Sequence, residues 1–321
     1  LNIAFKNSHS NHLKKGLIIR STGSWYDVRD AADGHVYQCR LKGKFKIKGL
    51  QTSNPLAVGD RVRFAVEDEA ENTGIVVEIE PRENYIARAS VHKTAQAHLL
   101  AANLDQAVLI VTLDFPRTSL GFIDRFTVSA ESFRIPVVIV FNKLDLFDEE
   151  GRAGQDEIAA MYERIGYGTL QTSTLTGEGV QALKGVLQNK VTLLSGHSGV
   201  GKSSLVNAIA PGLNLRTNEV STFANKGVHT TTFAEMFELG PDTFLIDTPG
   251  IKELGLIDIE RAEMGHFFPE MRERLNECRF HNCLHLNEPG CAVLEAVEAG
   301  DIAPSRYLSY LSMMEGDDNR R

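Results

Sequence analysis

The sequence predicts a multidomain chain: an N-terminal β-barrel, a central α/β domain, and a C-terminal, mostly helical module around a cysteine cluster. Three observations carry this. Short strands separated by turns fill the first 85 residues. Unbroken apolar strands alternate with helical segments between 107 and 246. Three of the four cysteines fall between 278 and 291. The expected division is a tail over 1–12, a barrel over 13–85, an α/β domain over 86–262 and the cysteine module over 263–321.

The barrel reading rests on five strands: Gly16–Ser21, Ser24–Val28, His35–Leu41, Arg61–Val66 and Gly74–Ile79. Turn chemistry separates them at Asp30–Gly34, Gly59–Asp60 and Asn72–Gly74. Five short strands in about 70 residues suit the oligonucleotide-binding (OB) type of barrel. Pro81–Asn84 breaks the pattern and marks the boundary. Cys39 reads as a small core hydrophobe.

Beyond the boundary, Ala107–Leu113 and Pro136–Phe141 are apolar without alternation, as strands buried on both faces are. Gly121–Phe133, Glu157–Ile165 and Val180–Leu187 have helical spacing, and Val191–Leu194 and Thr243–Ile246 add two short buried strands. Alternating strand and helix predicts a largely parallel sheet.

Composition narrows the class. Apolar residues make up 42% and charged residues 24%, which excludes a wholly disordered chain. The longest apolar runs are five residues, against about 20 for a membrane span. The polar start, Leu1–His12, has no signal-peptide core, so a cytoplasmic location and no membrane partner are expected. The net charge of −8 hides an asymmetry. Residues 1–63 hold twelve Lys/Arg against four Asp/Glu, whereas the rest hold 22 against 38. Arg40, Lys42, Lys44, Lys46 and Lys48 recur at every second position, so one strand would carry all five on one face. Such a face is either plainly solvated or set against a phosphate backbone, which would relieve its self-repulsion.

The chemistry begins at Gly196-His197-Ser198-Gly199-Val200-Gly201-Lys202-Ser203, which matches G-x-x-x-x-G-K-[ST]. A strand precedes it and Ser204–Ile209 continues as a helix. Glycines let the main-chain N–H groups curl inward as an anion nest at a helix N-terminus. Lys202 would reach the β- and γ-phosphates, and the Ser203 hydroxyl would ligate Mg²⁺.

Asn142-Lys143-Leu144-Asp145 follows a buried strand directly and fits the N-K-x-D signature of GTPases. The Asp145 carboxylate can accept from guanine N1–H and the 2-amino group. Adenine lacks both donors and would leave a buried carboxylate unpaired. Asn142 would tie the loop together, and the Lys143 stem would pack on the base. Asp247-Thr248-Pro249-Gly250 fits D-x-x-G, with Asp247 holding Mg²⁺ through water and the Gly250 N–H sensing the γ-phosphate. A threonine in Lys226–Phe233 would complete the Mg²⁺ shell, with Thr231 preferred over Thr230. Thr172-Ser173-Thr174 is either a base-backing fifth motif or a plain polar turn.

Order is informative as well. N-K-x-D precedes the phosphate loop and D-x-x-G, so the usual cyclic order is kept while its starting point moves. This is a circularly permuted P-loop GTPase domain, feasible when the original termini lie close together. D-x-x-G then runs within a few residues into the C-terminal module, so loss of the γ-phosphate could reposition that module.

In this order the chain resembles the bacterial ribosome small-subunit-dependent GTPase A family. The likeness runs through AANLDQ (101–106), NKLD, GHSGVGKSS (196–204), GVHTTT (227–232) and DTPGIKELGL (247–256). The resemblance implies an OB-type barrel, a permuted GTPase domain and a zinc domain. It further implies ribosome-stimulated GTP hydrolysis to GDP during late maturation of the 30S subunit. On this reading the barrel and zinc module contact 16S rRNA, and the protein acts as a monomer. Ile251 stands where many GTPases have a water-orienting Gln, so slow intrinsic hydrolysis is expected. His229 is the candidate substitute, the alternative being an ordinary loop residue.

Cys278, Cys283, His285 and Cys291 supply three thiolates and one imidazole, a closed tetrahedral shell for one structural Zn²⁺. Three clustered cysteines cannot pair evenly as disulfides. His281 is a further donor nearby; the family pattern uses His285, leaving His281 to solvent or RNA. The rival class is a metabolic P-loop phosphotransferase, against which NKLD argues. A third reading is an RNA-binding assembly factor in which hydrolysis is incidental.

Overall fold

The computed structural model describes residues 13–42, 54–89, 97–213, 234–247 and 259–316. Five strands form the N-terminal barrel: β1 (Lys14–Ser21), β2 (Tyr26–Asp30), β3 (Val36–Leu41), β4 (Arg61–Asp68) and β5 (Thr73–Ile79). They run β1-β2-β3-β5-β4, and β4 pairs back onto β1 to close the ring. Alternation fixes which side chains go inside. Ile18, Val28, Tyr37, Cys39, Phe64 and Val76 are buried in one cluster, and burial pushes the Cys39 thiol up to about 12.

The basic run is only partly within the described residues. Arg40 lies exposed on β3, where it pairs with Glu67 at 3.3 Å and sits over the Trp25 ring. Lys42 follows in a bend, and Lys44, Lys46 and Lys48 lie outside the described residues.

An antiparallel hairpin, β6 (Tyr85–Ala89) with β7 (Ala97–Ala102), leads into the central domain. The barrel loop before β4 is seated on it. Gly59 adopts φ +91° with its Cα against the Ala102 carbonyl, so a Cβ there would sit 2.1 Å from that oxygen. Asn103 Nδ2 donates to the Gly59 carbonyl, and Arg82 forms an ion pair with fully buried Asp60.

The central sheet contains β8 (Gln106–Val111), β9 (Val137–Asn142), β10 (Gly168–Thr172), β11 (Val191–Ser195), β12 (Glu235–Gly240) and β13 (Thr243–Asp247). Its order is β10-β9-β8-β11-β13-β12, parallel except for β12. β12 then pairs with β1 of the barrel, so one eleven-stranded sheet runs through both domains. Helices α1 (Leu120–Ser132), α2 (Glu149–Ile165), α3 (Val180–Leu187) and α4 (Lys202–Ile209) flank it. α2 begins eight residues earlier than the periodicity predicts. Asp148 caps it by accepting from the Gly151 N–H, and Glu149 and Glu150 suit the positive end of the helix dipole. Gly151 and Gly154 weaken the helical signal there.

The C-terminal module packs α5 (Pro269–Arg272), α6 (Ala292–Ala299) and α7 (Pro304–Glu315) around Met264, Phe268, Met271, Val293 and Tyr310. Val128 of α1 belongs to the same cluster, so α1 has one face in each domain's core.

Candidate functional site

The site lies at the C-terminal ends of β8, β9, β11 and β13, where a parallel sheet opens toward ligands. Gly196–Gly201 connects β11 to α4. The glycines are required by contact. A Cβ on Gly196 would sit 2.2 Å from the Ile110 carbonyl, and one on Gly201, at φ +97°, would sit 2.3 Å from Asn142 Nδ2.

The phosphate loop and N-K-x-D are thus in direct contact, although about 50 residues separate them in the chain. Asn142 is buried at the end of β9, and its Nδ2 donates to the Val200 carbonyl at 2.7 Å. Its Oδ1 accepts from Thr172 Oγ1 at 2.9 Å. Next along, Lys143 takes the left-handed conformation (φ +63°) and sends Nζ to the Phe115 carbonyl at 2.7 Å. Leu144 is buried and anchors the turn that presents Asp145. Ser173 Oγ donates to Asp145 Oδ1 and accepts the Leu175 and Thr176 N–H groups, so the carboxylate is held by an ordered loop.

Lys202 Nζ, itself buried, donates to the Gly196 and His197 carbonyls at 2.7 and 2.8 Å, which holds the ammonium over the loop. Ser198 and Gly199 lie on the exposed crown and Val200 is packed beneath. Ser203 is buried, and among the described residues its hydroxyl has no hydrogen-bond partner. An orphaned buried hydroxyl one residue beyond Lys202 fits a hard-cation ligand. Asp247 closes β13 beside β11, in register with Leu194, so its carboxylate is carried on the strand next to the phosphate loop. Ser204 lies in the first turn of α4. His229, Thr230, Thr231 and Gly250 lie outside the described residues.

Several neighbours carry no local sequence signal. The loop joining β8 to α1 supplies the Phe115 carbonyl to Lys143 and places Pro116 against Gly199. Phe122, in the first turn of α1, packs against His197 with ring centroids 3.9 Å apart and the planes tilted by 34°. Only Pro116 could have been noticed in the sequence, as a loop marker.

In the C-terminal module the ligating atoms of Cys278, Cys283, His285 and Cys291 all lie within 4.8 Å of one another. His285 turns Nδ1 inward, 3.3 Å from Cys291 Sγ and 3.7 Å from Cys278 Sγ. Burial, with the neighbouring thiols adding, pushes Cys283 up to about 12. Burial also lowers His285, which disfavours its charged form. Burial raises Cys291 as well, and three thiols gathered with one imidazole fit a divalent cation that would compensate thiolate charge. The loop is braced from α7: Tyr307 donates to the His285 carbonyl and Tyr310 to the Leu284 carbonyl. Glu288 accepts the Leu284, Leu286 and Asn287 N–H groups.

Comparison with known proteins follows this geometry. The family model described as RsgA GTPase matches residues 79–257, and that described as RsgA N-terminal domain matches 15–76. The chain is 52% identical over 301 residues to the small ribosomal subunit biogenesis GTPase RsgA of Bacteroides fragilis, covering 94% of this chain and 96% of that relative. A Cytophaga hutchinsonii protein of the same description is 52% identical over 307 residues, covering 96% of this chain and 100% of the relative. Among solved structures, YjeQ from Thermotoga maritima superposes with a TM-score of 0.78 at 36% identity, covering 96% of this chain and 100% of that one. YloQ, described as a circularly permuted GTPase, gives 0.73 at 32% identity, covering 98% and 99%.

Proposed function

Because this chain belongs to the RsgA GTPase family, we propose that it binds the small ribosomal subunit through 16S rRNA and hydrolyses GTP there to time its own release during late maturation. The observation that carries this is the seam between the two nucleotide motifs, in which Asn142 bonds the phosphate loop while Asp145 is held by Ser173. A base-reading carboxylate and a phosphate cradle braced on each other serve a single guanosine nucleotide.

In this reading Gly196–Ser204 offers main-chain N–H groups to the phosphates, and Lys202 exchanges its loop carbonyls for β- and γ-phosphate oxygens. Asp145 accepts from the guanine edge while the Lys143 stem covers the ring. Ser203, Thr231 and Asp247 would hold Mg²⁺, which would supply charge neutralisation at the phosphates. Gly250 senses the γ-phosphate, and His229 orients the attacking water. Cys278, Cys283, His285 and Cys291 would hold one structural Zn²⁺. The working parts are the barrel over 13–85, the GTPase domain over 86–262 and the zinc module over 263–321.

The test is phosphate release from GTP and from ATP, with and without purified 30S subunits. Stimulation confined to GTP is expected, and Asp145→Asn should shift preference from GTP toward XTP, whose 2-oxo group accepts where guanine donates. Equal turnover of both purines, or indifference to 30S, overturns the reading.

A further inference from the structure

The contact between barrel and GTPase sheet falls on two rungs of one hairpin. β12 and β13 form the hairpin that links, in sequence, the threonine segment before Ala234 to Asp247. Its outer strand borders the barrel. On the first rung, Arg20 of β1 partners Glu235 of β12, and Glu235 partners Asp247 of β13. The candidate Mg²⁺ carboxylate is therefore two strands from the barrel wall, at the same level. On the second rung, Glu238 partners Phe244.

One barrel side chain grips both members of that second pair. Arg29 of β2 reaches Glu238 with Nη1 3.0 Å from Oε2 and Nη2 3.3 Å from Oε1, a forked two-point contact. Its guanidinium also lies over the Phe244 ring, 5.6 Å from the centroid. The Asp30–Gly34 turn leaves room for it, since Gly34 (φ +74°) brings its Cα beside the Arg29 head group. Underneath, Leu17 and Ile19 of β1 face out of the barrel and pack on the GTPase core with Phe244.

The two attachments of the barrel differ in kind. At the β6–β7 hairpin it is seated by Gly59, Asn103 and the buried Arg82–Asp60 pair. At β12, among the described residues, the main-chain pairing is that of Arg20 with Glu235. The barrel is thus seated on one hairpin and, at β12, joined by a described backbone pair and the Arg29 side chain to the strand next to Asp247. Arg29 touches both strands of that hairpin at once.

We propose that Arg29 and Glu238 are positioning residues through which the barrel, when engaged on the 30S subunit, sets the β12–β13 hairpin and with it the Asp247 carboxylate for hydrolysis. The inference rests on the functional reading above and names its regulation. It requires the clamp for stimulated turnover and not for nucleotide binding or subunit binding.

The experiment compares the full chain with Arg29→Ala, Glu238→Gln and the charge swap Arg29→Glu with Glu238→Arg. Intrinsic hydrolysis, fluorescent GDP affinity and 30S co-sedimentation should stay within about twofold, while 30S-stimulated kcat falls about fivefold in each single variant at unchanged KM for GTP. The swap should recover at least half of the loss. Stimulated kcat that survives both single variants overturns the clamp. So does a loss matched by equal loss of 30S binding in Glu238→Gln, or a swap no better than the singles. A wild-type chain that 30S does not stimulate overturns the functional reading as well, which separates the two failures.

Discussion

Arg306 of α7 reaches Asp124 of α1 at 2.7 Å, and neither side chain meets solvent. The pair crosses the seam between the GTPase domain and the zinc module, 182 positions apart in the chain. Arg306 also forks onto Glu270, at 2.7 and 3.2 Å, and Tyr162 donates to the same Asp124 oxygen. Its guanidinium lies over the Phe268 ring, 4.7 Å from the centroid. Removing one partner of a buried pair leaves an uncompensated charge. Arg306→Ala should therefore cost about 3–5 kcal/mol of stability. Thermal melts of the full chain check this; a melting point within a degree of wild type would show the pair to be dispensable.

Gly201→Ala places a methyl group against the Asn142 amide and forces a side chain into a left-handed backbone. Both effects act at the seam of the nucleotide site. GDP affinity should fall at least tenfold, an expected loss of about 1.4 kcal/mol or more in binding, while the zinc content stays unchanged. Titration with a fluorescent GDP analogue, with metal analysis on the same sample, measures both.

One zinc per chain is expected by elemental analysis. Cys283→Ser, which keeps size but weakens the thiolate ligand, should lower zinc occupancy and loosen the module that Tyr307 and Tyr310 brace. Hydrogen exchange along α6 and α7 reports this; unchanged protection in a zinc-free sample would mean that the ion does not hold the module.

The barrel carries its own pH dependence. Burial raises the Asp30 carboxyl, but the Lys14 ammonium at 2.8 Å and the Ala32 N–H outweigh it, and the group is held below its ordinary value of 3.8. A depressed folded-state pKa contributes stability that is complete above the unfolded value. That contribution is lost as pH falls through the folded value. Asp30→Asn should lower stability by about 1.5–3 kcal/mol at neutral pH. It should also flatten the loss of stability below pH 3.8, as followed by melts from pH 2.5 to 7.

Much of this architecture is legible in the sequence because its signals are local. Val137–Phe141 is apolar throughout because β9 is covered on both faces, and the glycines of 196–201 mark a backbone no other residue tolerates. N-K-x-D is readable because a carboxylate that reads guanine must be an Asp at a fixed distance from its supporting Asn. What escaped is tertiary. β12, Glu235–Gly240, carries two glutamates facing a barrel that no local pattern announces. The Phe115 carbonyl that receives Lys143 is a main-chain acceptor, which any residue could provide. Asp124 looks like an ordinary helix-surface acid until Arg306 covers it.

Joining the barrel to the sheet also has a colloidal consequence. Open sheets end in rows of unsatisfied amides that recruit other chains. Here β1 pairs with β12 at Glu235, Arg29 covers Glu238, and the ring from β1 to β4 closes on itself, while the opposite end of the sheet is the five-residue β10. Excising the N-terminal 80 or so residues would remove both contacts from β12, and the truncated protein should precipitate or self-associate rather than persist as a stand-alone hydrolase.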